Sequence, residues 1–430
     1  MSLDRQIMRI AIPSIISNIT VPLLGLVDLA IVGHLGATAY IGAISVGGMV
    51  FNVMYWVFGF IRMGSSGLTA QAFGRHDLCE AAQLIARASV ISLAIALLLM
   101  ILQWPIFNMA IWIMSPGSEV ERYVKIYFDI CIWGAPPSLL LFAFSGWFLG
   151  MQDSRTPMAI AIIQNLTNIA SSLFFVYALG MKVEGVAMGT LIAQYIGLVI
   201  AMVVYLWKYG KVRKYVRWGE VFMRNDMKNF FKINRDIFLR TICLVAVFLF
   251  FTSAGSWQGD TILAVNTILM QFFMFFSYIM DGFAYAGEAL AGKFYGANNH
   301  RSLRFVVRRI FIWGAAMTII FTAAYFVADS QIIALLTNDH NVIGAISDYS
   351  FWTWLFPIAG VAAFVWDGVF IGITATRGML ISSAIATFLF FAVYLTLFPA
   401  MANHALWLAF IIYLAARGLT QTVIYRRLQK

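Results

Sequence analysis

The amino-acid sequence predicts an all-α polytopic membrane protein, with twelve transmembrane helices in two six-helix lobes related by a parallel internal repeat around a central cavity. Of 430 residues, 62% are hydrophobic and 11% are charged, with a mean hydropathy of +0.85. Soluble domains are about 45–50% apolar and about 25% charged. The other two reasons are a series of long apolar runs and a constant spacing between similar segments.

Twelve apolar runs are long enough to cross a hydrocarbon core of about 30 Å, which takes roughly 20 helical residues. Each run predicts one spanning helix. The helices are expected near residues 8–34, 41–63, 84–107, 123–149, 156–179, 185–207, 236–257, 261–288, 304–328, 343–371, 378–400 and 404–425.

The longest polar segment separates six of these runs from the other six. It is strongly basic, and its apolar residues indicate an amphipathic helix at the membrane surface. The predicted divisions are an N-terminal lobe at 1–207, a basic cytoplasmic linker at 208–235 and a C-terminal lobe at 236–430.

The placement of Lys and Arg predicts the orientation. These residues concentrate in the even-numbered connections and at both ends, and few lie in the odd-numbered connections. By the positive-inside rule, both termini and the linker are cytoplasmic in a multi-pass protein of the plasma (inner) membrane. The net charge of +10 therefore marks the inner face, and we expect no nucleic-acid partner.

Several chemistries lack their usual sequence signals. The three cysteines, Cys79, Cys131 and Cys243, have no metal-site spacing and form no disulfide framework. The five histidines make no HExxH pattern, and no Gly-rich phosphate loop is present. We therefore expect no enzyme activity, no metal, no cofactor and no ATP.

The two halves of the chain repeat at one constant spacing, which we call the repeat offset. It takes Gly74 to Gly296, Gly150 to Gly372 and Arg155 to Arg377, and it also takes the run IWIMS to the run IALLT. Because each copy has an even number of helices, both copies enter the membrane from the same side. Parallel repeats of this kind relate two lobes by an axis along the membrane normal.

The stretch 13–36 combines an apolar span with two prolines and one acid. Asp28 is costly in a membrane helix unless it is paired, protonated or facing water. Pro13 and Pro22 each remove a backbone donor and favour a kink. The pattern favours a moving helix with a titratable group. The alternative is an Asp held by a neighbouring hydroxyl or Arg, with structural prolines.

Polar residues also interrupt the fifth and sixth spans. Asn165, Asn168 and Ser172 share one face of the fifth helix, and Thr190 and Gln194 lie in the sixth. These side chains are suited to coordinating a cation or hydrogen bonding Asp28. Interhelical hydrogen bonds without an ion are the alternative.

A second polar stripe lies in the eighth span, with Asp367 of the tenth span as a further member. It is predicted to line the substrate cavity, where carboxylates and phenols would bind a cation. The alternative is closed ion pairs with Arg240 or Lys293. The stripe comprises Tyr278, Asp281, Tyr285 and Glu288.

The repeat is broken at the first helix. At the repeat offset, Asp28 falls opposite Phe250, and Pro13 falls opposite Arg235. The first span of the second half has no carboxylate inside its apolar run. Ion coupling is therefore expected in the N-terminal half only.

The sequence resembles the MATE family (multidrug and toxic compound extrusion), in particular its DinF branch. The resemblance covers essentially the whole chain. The segments that carry it are PSIISNITVPLLGLVDLAIVGHLG, RMGSSGLTAQAFG, DGFAYAGEALAGKFYGA, LFPIAGVAAFVWDGVFIG and HALWLAFIIYLAARGL.

This resemblance implies secondary antiport driven by an H+ or Na+ gradient. Asp28 matches the family's protonation or cation site, Pro13 matches its kink, and Asn168 and Thr190 match polar partners in the fifth and sixth helices. Ser172 stands where members commonly carry a second Asp, which favours H+ over Na+. The Glu that the NorM-like branch carries in the seventh helix is also missing.

The predicted function is export of amphipathic, cationic small molecules in exchange for H+, by alternating access of two lobes in a monomer within the lipid bilayer. Na+-coupled export and a lipid or lipid-linked flippase are the alternatives. A flippase would favour many cavity-facing arginines, and we expect only Arg62 and Arg240 inside the membrane. An intramembrane enzyme would need a His, Ser or metal cluster at membrane depth, and the sequence predicts none. A channel would not need a broken repeat.

Overall fold

The computed structural model describes residues 2–33, 38–337 and 340–428. Twelve helices within these ranges are long and apolar enough to cross a membrane, which confirms the predicted count and fold class. They are α1 (Leu3–Gly33), α2 (Thr38–Gly74), α3 (Leu78–Ile101), α4 (Ser118–Gly150), α5 (Arg155–Ala178), α6 (Val183–Lys208), α7 (Arg224–Ser256), α8 (Asp260–Gly296), α9 (His300–Ala334), α10 (Phe351–Gly372), α11 (Thr376–Met401) and α12 (Asn403–Leu428).

Three of the spans are irregular. The helix α2 is divided at Gly59, α4 contains a 3₁₀ turn at Ile132–Gly134, and α5 ends in a π-helical turn at Phe174–Ala178. Turns of the π type are frequent at functional sites. Short helices outside the spans are Gln103–Met114, Gly210–Arg213, Trp218–Val221 and His340–Ile346.

The linker differs from the amphipathic surface helix that its sequence predicts. It holds two four-residue helices, Gly210–Arg213 and Trp218–Val221, and α7 already begins at Arg224. Its apolar side chains Val212 and Val221 are buried. The linker also makes side-chain bonds to α3, so docking on that helix replaces a single continuous helix.

Backbone geometry repeats at the same offset as the sequence. Asp77 and Asn299 each cap a helix by accepting a hydrogen bond from the amide three residues later. Positive φ angles occur at two equivalent pairs of turns, His76 with Asn298 and Gln152 with Thr374. The two halves therefore share a local structure as well as a pattern of residues.

Equivalent glycines let helices cross closely in both halves. A Cβ on Gly146 of α4 would lie 2.2 Å from the Arg62 carbonyl oxygen of α2. A Cβ on Gly368 of α10 would lie 2.0 Å from the Ala284 carbonyl oxygen of α8. Since these neighbours are backbone atoms, only glycine permits either crossing.

The chain divides into two compact units. We call residues 16–231 the N-terminal unit, and residues 1–15 with 232–430 the C-terminal unit. The division differs from the predicted boundaries at 207 and 235, chiefly because the start of α1 groups with the C-terminal half. There Arg309 and Trp313 donate to Asp4, at 2.7 and 3.1 Å. Gly282 also lies against Ala11 and Ile15.

Aromatic rings fill the core of the C-terminal unit. Phe410 is fully buried and contacts the rings of Phe251, Phe273 and Phe356 at centroid distances of 5.4, 5.0 and 6.1 Å. Ring pairs of this geometry contribute roughly 0.5–1.5 kcal/mol each beyond their burial. Van der Waals contact of this kind is what holds helices together where lipid removes the hydrophobic drive.

Candidate ion-coupling site

Asp28 is a buried carboxylate in the N-terminal unit. Its side chain lies on α1, and the residue is 8% exposed. Its Oδ1 atom is buried and receives no hydrogen bond from the described residues. An ionised carboxylate in such surroundings is costly, whereas a protonated one is much less so. The position therefore suits a group that exchanges a proton or a cation.

A chain of hydrogen bonds joins the predicted polar residues of α5 and α6. The Asn168 Nδ2 atom donates to Thr190 Oγ1 at 3.0 Å, and Ser172 Oγ donates to Asn168 Oδ1 at 3.4 Å. Thr190 in turn donates to the Val186 carbonyl oxygen at 3.1 Å. Asn168 and Ser172 are almost completely buried. The three side chains therefore form one hydrogen-bonded chain across two facing helices, and their role in ion coupling stays a prediction.

Gly189 allows α5 and α6 to approach closely at this hydrogen-bonded chain. A Cβ on Gly189 would lie 2.3 Å from Ser172 Oγ and 2.8 Å from the Ser172 amide nitrogen. The α5–α6 crossing is therefore too close for any side chain at position 189. The π-helical turn of α5 begins directly after this contact, at Phe174.

The part of α1 that precedes Asp28 is hydrogen bonded to α5, at a residue outside the Asn168–Ser172–Thr190 chain. Asn165 Nδ2 donates to the Thr20 carbonyl oxygen at 3.3 Å. Pro13 is buried and Pro22 is half-buried, and α1 is continuous through both. Pro13 lies two residues before the end of the segment that belongs to the C-terminal unit.

Tyr127 and Cys131 are site residues that sequence reasoning missed. Both are buried, and both lie within electrostatic range of Asp28. Tyr127 also interacts with Thr190, so it lies within range of both the acid and the polar chain. The sequence signal that could have indicated these two residues is their i, i+4 spacing, which places both on one face of α4. A Cβ on Gly47 would lie 2.5 Å from the Tyr127 ring, which fixes that ring against α2.

The equivalent positions of the other half form an aromatic cluster. At the repeat offset, Asp28, Asn168 and Ser172 correspond to Phe250, Phe390 and Tyr394. The ring of Phe250 contacts those of Phe390 and Tyr394, at 6.0 and 5.1 Å. The fold thus brings these three positions together in the C-terminal unit, and fills them with rings. In the N-terminal unit, the same positions carry an acid, an amide and a hydroxyl.

The polar stripe of α8 is partly buried. Tyr278, Asp281 and Tyr285 are half-buried, and Glu288 is 1% exposed. Tyr278 lies within electrostatic range of Asp281. These residues follow one face of α8, as the spacing predicts, and their role in binding substrate stays a prediction.

Asp367 is engaged in ion pairs rather than open to a cavity. Arg240 and Arg417 both donate to its Oδ2 atom, and Gln421 donates to Oδ1 at 2.7 Å. All four side chains are buried. The geometry favours the ion-pair alternative for this carboxylate. The expectation of only two intramembrane arginines was also incomplete, because Arg417 lies within α12.

Comparison with known proteins places this chain in a family. The MatE family model matches residues 13–174 and 237–396. DNA damage-inducible protein F of Escherichia coli (strain K12) is 36% identical over 433 residues, covering 99% of this chain and 93% of that protein.

More distant relatives agree with this assignment. The probable multidrug resistance protein NorM of Thermotoga maritima is 22% identical over 350 residues, covering 79% of this chain and 73% of that protein. A solved MATE structure in a bent conformation superposes with a TM-score of 0.89 at 18% identity, over 99% of this chain and 95% of that one, which shows a shared fold. The chain therefore belongs to the MATE family of multidrug and toxic compound efflux transporters, and it is not an enzyme.

Proposed function

We propose that this transporter is an antiporter that exports amphipathic, cationic small molecules in exchange for H+. The observation that carries the proposal is the buried Asp28 Oδ1 atom, which receives no hydrogen bond from the described residues. A carboxylate left in this state gains stability by taking up a proton. Asp28 is thus the proposed coupling residue.

The surroundings of Asp28 would tune that exchange. The Asn168–Ser172–Thr190 chain offers amide and hydroxyl groups on neighbouring helices, and Tyr127 lies near both the acid and Thr190. Protonation of Asp28 removes a charge from this group and so changes which packing of α1 is favoured. A two-state element biased by one proton is sufficient for alternating access.

In the proposed cycle, substrate enters from the cytoplasm or the inner leaflet while Asp28 is ionised. Binding favours an outward-open state, in which Asp28 takes up a proton from outside. Helix α1 then bends at Pro13 or shifts against α5 and α6, and the substrate leaves. The return to the inward state releases the proton to the cytoplasm.

Sodium is the second coupling ion that the site allows. Asp28, Asn168, Ser172 and Thr190 each carry side-chain oxygen, the ligand type that hard cations prefer. Ser172 supplies a hydroxyl instead of a second carboxylate, which gives the site a smaller negative charge and favours H+.

We also propose that both termini and the linker are cytoplasmic, in the plasma (inner) membrane. The support is the concentration of Lys and Arg in the linker, including Lys211, Arg213 and Lys214.

The proposed exchange also bears on the charge of the substrate. A compound that leaves in exchange for a proton is suited to being a cation itself.

The test is transport in proteoliposomes under a pH gradient and a Na+ gradient, imposed separately. The probes are ethidium, rhodamine 6G and 4′,6-diamidino-2-phenylindole, three fluorescent aromatic cations. We expect the pH gradient to drive uptake of at least one probe by the wild-type protein. Asp28→Asn should lose this uptake, because the amide does not titrate.

Asp129→Asn is the matched control, since Asp129 is an exposed acid on α4 that pairs with Lys125. It should transport like the wild type. Uptake driven only by Na+ would contradict proton coupling, and proton-driven uptake by Asp28→Asn would contradict the role of Asp28. Failure of every probe under both gradients would contradict the proposed substrate class.

A further inference from the structure

Two arginines occupy equivalent positions in the repeat. Arg87 lies on α3 and Arg309 on α9, and the repeat offset takes one to the other. Arg87 is 4% exposed, and its Nε atom donates to the Val221 carbonyl oxygen at 2.8 Å. Arg309 is half-buried within the C-terminal unit. Neither residue takes part in the candidate ion-coupling site.

Each arginine holds an acid in the first turn of a spanning helix. Arg87 contacts Asp226 of α7 at 3.3 Å, and Arg309 contacts Asp4 of α1 at 2.7 Å. The two acids are also related by the repeat offset. An acid in the first turn is favoured by the helix dipole as well. The same arginine–aspartate clasp is therefore built twice.

Each clasp joins an acid from one half of the sequence to an arginine from the other half. Asp4 begins the first half, but its arginine belongs to the second half. Asp226 begins the first span of the second half, but its arginine belongs to the first half. The chain passes between the two units only after Ile15 and after Phe231. Both passages lie inside a clasped helix, α1 or α7.

We infer that Arg87 and Arg309 are positioning residues, each of which fixes the beginning of a helix that joins the two units. Each such helix is held at its start by one unit, while the remainder belongs to the other. A movement of one unit is therefore transmitted along α1 and α7. On α1 this movement reaches the segment that carries Asp28.

The bonding argues against two incidental surface pairs. Exposed ion pairs often contribute little stability, and Asp226 is half-exposed. However, each clasp has a second bond. Arg87 also binds the Val221 carbonyl oxygen, and Asp4 also accepts from Trp313 at 3.1 Å. Two equivalent positions with reinforced bonds indicate a geometry that the molecule uses in both halves.

The first test is amide hydrogen exchange of the full-length protein in lipid nanodiscs. Arg309→Gln should speed exchange in residues 3–15 by up to about fivefold, the factor that a partly exposed ion pair contributes. Exchange in 224–231 should stay unchanged. Arg87→Gln should have the converse effect. Arg308→Gln, which alters an exposed neighbour on α9, is the control.

Exchange of the charges provides the second arm. Asp4→Arg and Arg309→Asp should each speed exchange in 3–15 and slow ethidium export, with KM unaltered. The double variant that combines them should restore both slow exchange and ethidium export. Unaltered amide exchange in both segments would overturn the inference, and so would faster exchange spread over all of α3 or α9. A double variant that exchanges amides as fast and exports ethidium as slowly as the single variants would also overturn it. The exchange arm does not depend on the coupling ion, so the antiport proposal can fail separately.

Discussion

Two buried aspartates of this protein have opposite surroundings. Asp367 receives bonds from Arg240, Arg417 and Gln421, whereas Asp28 Oδ1 receives none from the described residues. The sequence indicates that both acids lie in apolar spans. It does not indicate which one is paired, because Arg240 and Arg417 are 127 and 50 residues away from Asp367.

Removing the charge of Asp367 should destabilise the protein. Asp367→Asn leaves two buried guanidinium groups without their counter-ion, and breaking a buried pair in this way costs about 3–5 kcal/mol. We expect a lower midpoint of thermal unfolding for the purified protein in detergent. The affinity for an exported dye should be unchanged, because the carboxylate is occupied by arginines.

The control for this change is Asp348→Asn, at an exposed acid before α10. It should unfold at the wild-type temperature. An Asp367→Asn protein of normal stability that binds dye more weakly would instead assign Asp367 to the substrate cavity.

At the scale of helices, the close crossings depend on glycine in both halves. Gly146→Ala and Gly368→Ala would each drive a methyl group against a backbone carbonyl oxygen. Backbone atoms cannot rotate away, so the helices must separate. We expect a loss of at least the roughly 1–3 kcal/mol typical of overpacking.

The measurement is the yield of monodisperse protein by fluorescence-detected size exclusion, with the midpoint of thermal unfolding. Both changes should reduce these values to a similar extent, since the crossings are equivalent. Gly48→Ala is the control, because its Cβ would meet no atom within 4 Å, and it should be neutral or stabilising. Normal yields of Gly146→Ala would show that α2 and α4 can separate without cost.

The spans were predictable from the sequence and the linker was not. A run of about 20 apolar residues has few alternatives in a bilayer, since its backbone must bond internally. The two short linker helices depend instead on contacts with α3, such as the 2.6 Å bond from Gln83 to Glu220. Glu220 is also paired with Arg217, and the bonds from Arg217 and Gln83 keep the pKa of its carboxyl below the ordinary value. Such contacts are invisible in a hydropathy pattern.

At the scale of the whole molecule, the repeat was predictable and the division into units was not. The repeat offset is visible in matched glycines and arginines, and backbone turns follow it. The grouping of residues 1–15 with the C-terminal half depends on contacts between segments distant in sequence, such as that of Asp4 with Arg309. For the same reason, the polar interruptions of the fifth and sixth spans predicted Asn168, Ser172 and Thr190 as site residues, but the sequence did not reveal Tyr127, whose relation to Asp28 is tertiary.

The orientation proposed for the chain can be tested with reporters. Green fluorescent protein fused after the last residue should fluoresce, and alkaline phosphatase fused there should be inactive, because both report a cytoplasmic terminus. Phosphatase inserted in the connection between α5 and α6, near Lys182, should be active. Activity at the C-terminus with inactivity near Lys182 would reverse the assignment.

The Asp4–Arg309 contact has a consequence for biosynthesis. The two residues are 305 positions apart, so at a usual elongation rate of about 5–20 residues per second they leave the ribosome roughly 15–60 s apart. Asp226 emerges when Arg87 is already in place, but Asp4 must wait until most of the chain has been translated. The N-terminal unit can thus complete its contacts early, while the start of α1 can pair with Arg309 only after α9 has been synthesised.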